Sequence, residues 1–108
     1  MDFDEYQRLS RQTAVYPRQG ENYIYPTLGL VSEAGELADR IKRIQRDDND
    51  VVTPQKTEEV VGELGDILWY AAQISTEFGL SLNAVAQANL TKLLRRMDQG
   101  TLQGHGQR

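Results

Sequence analysis

The chain has 108 residues, of which 39% are hydrophobic and 26% are charged, and its formal net charge at pH 7 is −4. This length predicts one domain with a single modest core. The absence of cysteine excludes a disulfide framework and a thiolate metal site, and the single histidine, His105, excludes a histidine-rich one. The acidic balance argues against a nucleic-acid polymer or an anionic membrane surface as the main partner.

The N-terminal residues predict a short helix rather than a targeting segment. Asp2 and Glu5 stand where a signal peptide would have a basic region and an apolar run, and no apolar stretch approaches the length of a membrane span. We therefore expect a cytoplasmic protein. The same two acids resemble a capping box, which predicts an amphipathic helix from Phe3 to about Ala14.

The segment 15–26 is rich in tyrosine, proline and glycine, and it predicts an ordered loop. We interpret its three tyrosines as packing beneath the helices, because tyrosine is a common amphipathic filler. Contact with a base is the alternative.

A longer helix is predicted from about Thr27 to Arg46. At about 100° per residue, its apolar residues fall within an arc of roughly 80°. These residues are Leu30, Ala34, Leu37, Ile41 and Ile44. Glu33 and Glu36 are one turn apart at the edge of this arc. The acidic run 47–50 lacks the glycine and the final glutamate of an EF-hand loop, so it is interpreted as a solvated linker.

The next predicted helix repeats the arrangement. Thr53 is its capping hydroxyl, proline occupies its first position, and it ends at Phe78 before a glycine. Its apolar stripe consists of Val60, Leu64, Ile67, Ala71, Ile74 and Phe78. Glu63 and Asp66 have the same spacing and the same edge position as the first pair of acids, and Glu59 precedes them by one turn.

Further apolar residues widen this stripe, and Trp69 lies nearly opposite it. A helix that is apolar on more than one side needs more than one partner, so we expect the spare face to meet another subunit.

A last helix is predicted from Leu82 to about Met97, capped by Ser81. Its inward-facing residues are Val85, Ala86, Leu90, Leu93 and Met97, and the donors Asn89, Lys92 and Arg96 share another side. Four helices with short or moderate connections predict an all-α four-helix bundle, completed by oligomerisation. We expect residues 1–97 to form the domain and residues 98–108 to form a glycine-rich tail.

Packing of the two acidic helices through their stripes would bring four or five carboxylates together, with too few cations near them in sequence. Such an arrangement destabilises a fold unless the charge is neutralised, and hard divalent cations bind carboxylate oxygens. One pair of acids is an ordinary solvated surface. For two pairs in this arrangement, a metal site and a solvated surface are equally open from the spacing alone.

The segments GLVSEAGEL and ELGDILWY resemble the signature of the MazG-like all-α nucleoside triphosphate pyrophosphohydrolases, which is E-x-x-E, a variable spacer and E-x-x-D. The segment AQANLTKLLRR resembles the N-x-x-K element of that family, and GTLQGHGQR resembles its glycine-rich end with a final arginine. The resemblance covers nearly the whole chain from Leu28 onward. It implies hydrolysis of a nucleoside or deoxynucleoside triphosphate to the monophosphate and pyrophosphate, in nucleotide-pool clean-up or control.

The resemblance also implies roles for individual residues. The Mg²⁺ ligands would be Glu33, Glu36, Glu63 and Asp66, with Mn²⁺ as a possible substitute. Glu36 or Glu59 would orient or deprotonate the attacking water. The substrate contacts would be Asn89, Lys92, Arg96, Lys42, Trp69 and Arg108, the last in a tail that could fold over the nucleotide. For Trp69 a subunit interface remains the favoured alternative.

Three alternatives stay open at this point. Within the superfamily, the chain could be a dedicated dUTP or dCTP pyrophosphohydrolase, or a phosphoribosyl-ATP pyrophosphohydrolase. From another class, it could be a catalytically silent helical interaction protein. The expected partners are the triphosphate and further copies of the chain, as a homodimer or tetramer. The preferred base and sugar are not determined by the sequence.

Overall fold

The computed structural model describes residues 1–100 as four helices joined by loops, with no strand among those residues. The helices are α1 (Phe3–Arg11), α2 (Ile24–Asp47), α3 (Pro54–Glu77) and α4 (Leu82–Asp98). The predicted all-α fold class is confirmed. Most of the predicted tail, including Arg108, lies outside the described residues.

Three predicted helix caps are present. The side chain of Asp2 accepts a hydrogen bond from the Glu5 N–H at 2.7 Å, and the hydroxyls of Thr53 and Ser81 accept from backbone N–H groups three residues later. These bonds satisfy donors that the first turn of a helix leaves without partners. α1 ends at Arg11, three residues before its predicted end.

Helix α2 begins at Ile24, three residues before its predicted start at about Thr27. The side-chain oxygen of Asn22 accepts hydrogen bonds from the N–H groups of Ile24 and Tyr25, at 3.2 and 3.1 Å. Pro26 is then the third residue of the helix, where a backbone N–H would have no partner within the helix. The proline therefore belongs to the first turn of α2 and not to the loop.

The loop before α2 packs as predicted at Tyr16, which is buried. The ring of Tyr25 stacks on the ring of Tyr16, with 5.2 Å between centroids. Tyr23 lies against Phe78 at 5.1 Å. In the linker after α2, Asn49 and Asp50 are exposed and have φ angles of 54° and 63°, in the left-handed region that asparagine and aspartate tolerate.

The helices do not enclose one common core. α2 packs only against α3 among the described elements, whereas α1 packs against α3 and α4, and α4 against α1 and α3. The buried apolar residues of the described chain are correspondingly few: Ala14, Tyr16, Pro26, Ile44, Ala72 and Leu82. Within residues 1–100, no helix is both long and apolar enough to cross a membrane.

Several residues that the sequence predicts to face inward are exposed in the single chain. They are Ala34, Ile41, Leu64, Phe78, Val85, Leu90 and Met97. The predictions assumed a bundle closed within one chain, but the outer sides of α2, α3 and α4 have no neighbouring helix there. Leu28, Val31 and Val61 are each more than 60% exposed for the same reason.

Candidate functional site

The antiparallel contact between α2 and α3 places two polar stripes opposite each other. The α2 stripe is Gly29, Glu33, Glu36 and Arg40, and the α3 stripe is Glu59, Glu63, Asp66 and Tyr70. Both have the alternating spacing of four and three residues that keeps side chains on one side of a helix. Gly29 faces Tyr70, and Arg40 faces Glu59. The acids therefore meet midway along the hairpin.

Three of the predicted metal ligands come together there. Glu33, Glu63 and Asp66 each offer a carboxylate oxygen, and these oxygens lie within 4.8 Å of one another. The first two side chains are partly buried, and Asp66 is exposed. Burial raises the pKa of Glu33, and the charges of Asp66, Glu63 and Glu36 raise it further. We call these three residues the carboxylate cluster. Its donor set of oxygens alone suits a hard divalent cation.

Glu36, the fourth predicted ligand, lies outside this group of three. It is exposed on α2, one turn from Glu33, and close enough to contribute to the raised pKa of that residue. Within residues 1–100 it forms no ion pair. Its role as a ligand or a base stays a prediction.

Arg40 was missed by sequence reasoning. Its Nη1 lies 3.3 Å from Glu59 Oε1, and its Nε lies 3.7 Å from Glu63 Oε2. Lys56 Nζ approaches the same Glu59 oxygen at 3.5 Å. The expectation of too few cations is therefore wrong at the Glu59 end of the seam. The available signal was the position of Arg40, one turn beyond Glu36 on the same edge of α2.

The other predicted phosphate contacts are not gathered at the carboxylate cluster within one chain. Lys42 is exposed and lies 3.4 Å from Asp39 on its own helix. Asn89 and Lys92 are exposed on α4, and Arg96 is partly buried there, but α4 does not pack against α2. Their roles stay predictions.

A small aromatic pocket adjoins the carboxylate cluster. Its volume is about 200 Å³, and it is lined by Thr13, Val15, Tyr16, Tyr25, Trp69 and Tyr70. Burial raises the pKa of Tyr70, and the nearby groups Tyr25, Glu33 and Asp66 raise it further, so this ring borders both the pocket and the acids. The Trp69 indole N–H donates to the Thr13 hydroxyl at 2.8 Å. Trp69, predicted at a subunit interface, thus has a partner within its own chain.

Comparison with known proteins places this arrangement in a family. The family model described as the MazG nucleotide pyrophosphohydrolase domain matches residues 24–101, a range that contains α2, α3 and α4. The chain belongs to the MazG family. The predicted family resemblance is thereby confirmed. The family is described as nucleotide pyrophosphohydrolases, so the reaction to test is hydrolysis of a nucleotide.

Two curated proteins are similar to this MazG chain. Gene 37 protein of Mycobacterium phage L5 is 42% identical over 111 residues, covering 98% of this chain and 97% of that protein. Uncharacterized protein YvdC of Bacillus subtilis (strain 168) is 30% identical over 74 residues, covering 64% of this chain and 70% of that protein. No solved structure gives a significant match.

The contact between the two acidic helices of this MazG domain depends on Gly29. A Cβ atom at this position would overlap Cε1 and Cζ of the Tyr70 ring. The ring therefore lies directly against the backbone of α2. Because Tyr70 borders both the aromatic pocket and the carboxylate cluster, this close approach helps to fix their relative positions.

A second acidic site lies at the far end of α3, around Glu77. Its side chain is only 1% exposed. One carboxylate oxygen accepts hydrogen bonds from Arg11 at 3.0 Å, the Tyr16 hydroxyl at 2.5 Å and the Gly20 N–H at 2.9 Å. The other accepts from the Asn22 N–H at 2.7 Å. We call Glu77 and these four donors the Glu77 network.

Burial alone would raise the pKa of Glu77, but these hydrogen bonds outweigh it and lower the pKa to about 2. The carboxylate stays ionised and ties the N-terminal loop to α3. Sequence reasoning missed this network, although the spacing from Tyr70 through Gln73 to Glu77 continues the polar stripe of α3.

Proposed function

We propose that this MazG protein is a Mg²⁺-dependent nucleoside triphosphate pyrophosphohydrolase, which converts a triphosphate and water to the monophosphate and pyrophosphate. The observation that carries the proposal is the carboxylate cluster, where three acids from α2 and α3 lie within 4.8 Å. Neither Glu33 nor Asp66 has a hydrogen bond or an ion pair within residues 1–100. At this distance the negative charges of the three acids repel one another, and such a group of carboxylates is typical of a cation-binding site.

A triphosphate is itself strongly anionic, so carboxylates repel it unless cations lie between them. Glu33, Glu63 and Asp66 would hold the divalent ion, and Glu36 would join them by a rotation of its exposed side chain. A bound ion would neutralise the phosphate oxygens and lower the pKa of a water molecule. Mn²⁺ is expected to substitute, because it also accepts oxygen ligands.

Glu36 is the better candidate for orienting or deprotonating the attacking water. The alternative, Glu59, lies within 3.5 Å of two cationic side chains, Arg40 and Lys56, so its carboxylate is already engaged in ion pairs. Glu36 forms no ion pair within residues 1–100 and lies one turn from Glu33. Its carboxylate is therefore available to a water molecule beside the cluster.

The aromatic pocket would take the base. Its volume of about 200 Å³ is below the roughly 300 Å³ typical of pockets for whole small molecules, which suits a planar ring rather than a complete nucleotide. Trp69 and Tyr70 form one wall at an edge-to-face angle of 89°. Aromatic walls stack on many bases, whereas discrimination between bases requires placed donors and acceptors.

We infer that the protein acts as a homodimer or tetramer, in which a second copy covers the exposed sides of α2 and α3. The exposed apolar residues recur at intervals of three and four along both helices: Ile24, Leu28 and Val31 on α2, and Val61, Leu64 and Leu68 on α3. Such a stripe on each arm of one hairpin suits a two-fold symmetric contact. In the assembly, Asn89, Lys92 and Arg96 would approach the phosphates from the α4 of a neighbouring copy.

The reaction is tested by incubating the protein with Mg²⁺ and a panel of ribo- and deoxyribonucleoside triphosphates, and separating the products by ion-exchange chromatography. We expect monophosphate and pyrophosphate, and their loss in Glu63→Gln. A preference for dUTP or dCTP would assign a dedicated pyrimidine enzyme. Diphosphate with inorganic phosphate would contradict the proposal, and no turnover by folded protein would favour a silent interaction protein.

The contribution of a neighbouring copy is tested by mixing two inactive variants. Glu63→Gln removes a cluster residue, and Lys92→Ala removes a phosphate contact on α4. If each site uses both chains, subunit exchange should create some sites with neither substitution, and activity should return in part. Failure to recover activity, with exchange verified by mass spectrometry, would place both residues in the same chain's site.

A further inference from the structure

Arg40 occupies a position that the proposed reaction does not explain. It is the cationic side chain that reaches the carboxylate cluster from within the described chain, through its contact with Glu63. We propose that Arg40 is a built-in counter-cation, which competes with the divalent metal for Glu63 and so keeps metal binding weak until a polyphosphate arrives. This inference rests on the proposed metal site, and its test is separate from the reaction.

The geometry makes Glu63 a shared group. One of its oxygens lies 3.7 Å from Arg40 Nε, while the residue also contributes an oxygen to the cluster with Glu33 and Asp66. The Glu63 side chain is 12% exposed, so little water screens either interaction. A divalent cation bound at the cluster and the guanidinium of Arg40 would therefore compete for the negative charge of Glu63.

Arg40 is held at this position by Glu59. Glu59 Oε1 is closed to solvent and makes no hydrogen bond within the described chain, and its charge is offset by Arg40 at 3.3 Å and Lys56 at 3.5 Å. A carboxylate oxygen closed to water requires such compensation. Glu59 therefore anchors the guanidinium beside Glu63 and does not leave it free to swing away.

Two properties of Arg40 would couple the binding of the metal to the binding of a triphosphate. Arginine carries a full positive charge in proteins, so its guanidinium repels an approaching dication. Its side chain is also 40% exposed, which leaves N–H donors available for phosphate oxygens. A triphosphate that arrives with the metal supplies the negative charge that both cations need, so the two ligands favour each other's binding.

The test measures Mn²⁺ binding by isothermal titration calorimetry in the absence of any nucleotide. Arg40→Gln removes the competing charge and should bind Mn²⁺ about tenfold more tightly than the unmodified protein, within the usual range of coupling between neighbouring sites. The matched control is Arg43→Gln. Arg43 lies one turn further along α2 and pairs with Asp39 at 2.9 Å, so its loss should leave Mn²⁺ affinity unchanged.

A conservative variant and a stability measurement separate competition from general disruption. Arg40→Lys keeps the charge and should bind Mn²⁺ as weakly as the unmodified protein. Without metal, Arg40→Gln should melt at a lower temperature, because Glu59 and Glu63 lose their counter-cation, and Mn²⁺ should raise that temperature by more than it does for the unmodified protein.

Mn²⁺ affinity for Arg40→Gln that is equal to or lower than that of the unmodified protein would overturn the inference. None of these measurements involves hydrolysis. Tighter Mn²⁺ binding in a protein that hydrolyses no triphosphate would support the role of Arg40 and refute the proposed reaction. Hydrolysis with unchanged Mn²⁺ affinity would do the reverse. Binding of Mn²⁺ by neither protein would refute both the metal site and the role of Arg40.

Discussion

The polar stripe of α3 carries one acid at its C-terminal end, Glu77, and another near its middle, Asp66, and the chain treats the two positions in opposite ways. Glu77 accepts four hydrogen bonds from the N-terminal segment, and its pKa falls to about 2. Asp66, 11 residues earlier and therefore roughly 16 Å away along the helix, has no hydrogen bond or ion pair within residues 1–100. The first acid is satisfied by the chain itself, and the second belongs to the cluster that we propose binds a divalent cation.

The two sites also differ in which part of the chain supplies the groups around them. The donors to Glu77 lie in α1 and the following loop, before residue 24, whereas the carboxylate cluster lies wholly within the range matched by the MazG family model. The buried acid is thus satisfied by a segment outside that match. Both acids continue the same stripe spacing on α3, so the hydrogen-bond donors around Glu77 are what distinguish it from the acids of the proposed metal site.

The largest expected effect is a loss of hydrolytic activity when the carboxylate cluster, and not the Glu77 network, is altered. Asp66→Asn should lower the rate of triphosphate hydrolysis by about 100-fold or more, the scale of losing one preorganised electrostatic group. Its metal-free melting temperature should stay the same or rise, because repulsion with Glu33 is relieved. A pyrophosphate-release assay and a thermal melt measure the two effects. A large drop in metal-free melting temperature would show that the cluster is structural.

The reciprocal change is Glu77→Gln, which should reduce stability and leave the chemistry in place. Removing a buried carboxylate with a pKa near 2 costs on the order of 3 kcal/mol. The melting temperature should fall by about 10 °C or more. Activity at a temperature where the variant is folded should stay within a few-fold of the original. A 100-fold loss of activity there would contradict the division of roles.

The pH dependence of stability sharpens the same comparison. The pKa of Glu77 is lowered from 4.5 to about 2 in the folded state, so the unfolded chain takes up its proton first as pH falls. The stabilisation by Glu77 is therefore fully present above about pH 4.5 and is lost progressively toward pH 2. Urea unfolding at several pH values should show the difference between the original protein and Glu77→Gln shrinking over this range. A constant difference would contradict the assignment.

A smaller effect is expected at the contact that aligns the cluster with the aromatic pocket. Gly29→Ala places a Cβ in steric overlap with the edge of the Tyr70 ring, and the forced displacement should cost about 1–3 kcal/mol. Gly62→Ala is the matched control, because its Cβ would meet no atom within 4 Å and alanine is the better helix former. Urea unfolding should rank Gly62→Ala at or above the original protein and Gly29→Ala below it. Equal stability of the two variants would rule out a tight contact.

Local signals in the sequence were sufficient for much of the fold and for part of the site. The capping side chains of Thr53 and Ser81 are identifiable from residue type and position alone, and so are the paired acids on α2 and α3. Pro26 was misleading, because the cap supplied by Asn22 depends on how the preceding loop folds. Glu77 was missed for a related reason, since its donors lie more than 50 residues away in the chain.

Exposure was the other property that the pattern did not predict. The periodicity of Leu64 and Leu90 correctly marks them as apolar faces of helices, but it does not say whether the covering surface belongs to the same chain. Arg40 lies one turn beyond Glu36 in the sequence, but its ion-pair partners Glu59 and Glu63 lie on the other helix, so its role depends on how α2 packs against α3.

The most direct test of the account is where a divalent cation binds. In ¹⁵N-labelled protein, sub-stoichiometric Mn²⁺ broadens the amide resonances nearest to it. We expect the first losses at Gly62 and Gly65, which flank the cluster acids on α3, while Gly20 and Asn22 at the Glu77 network stay sharp. Asp66→Asn should reduce the broadening. Broadening that begins at Gly20 and Asn22, or that is uniform along α3, would contradict the claim that the carboxylate cluster is the metal site.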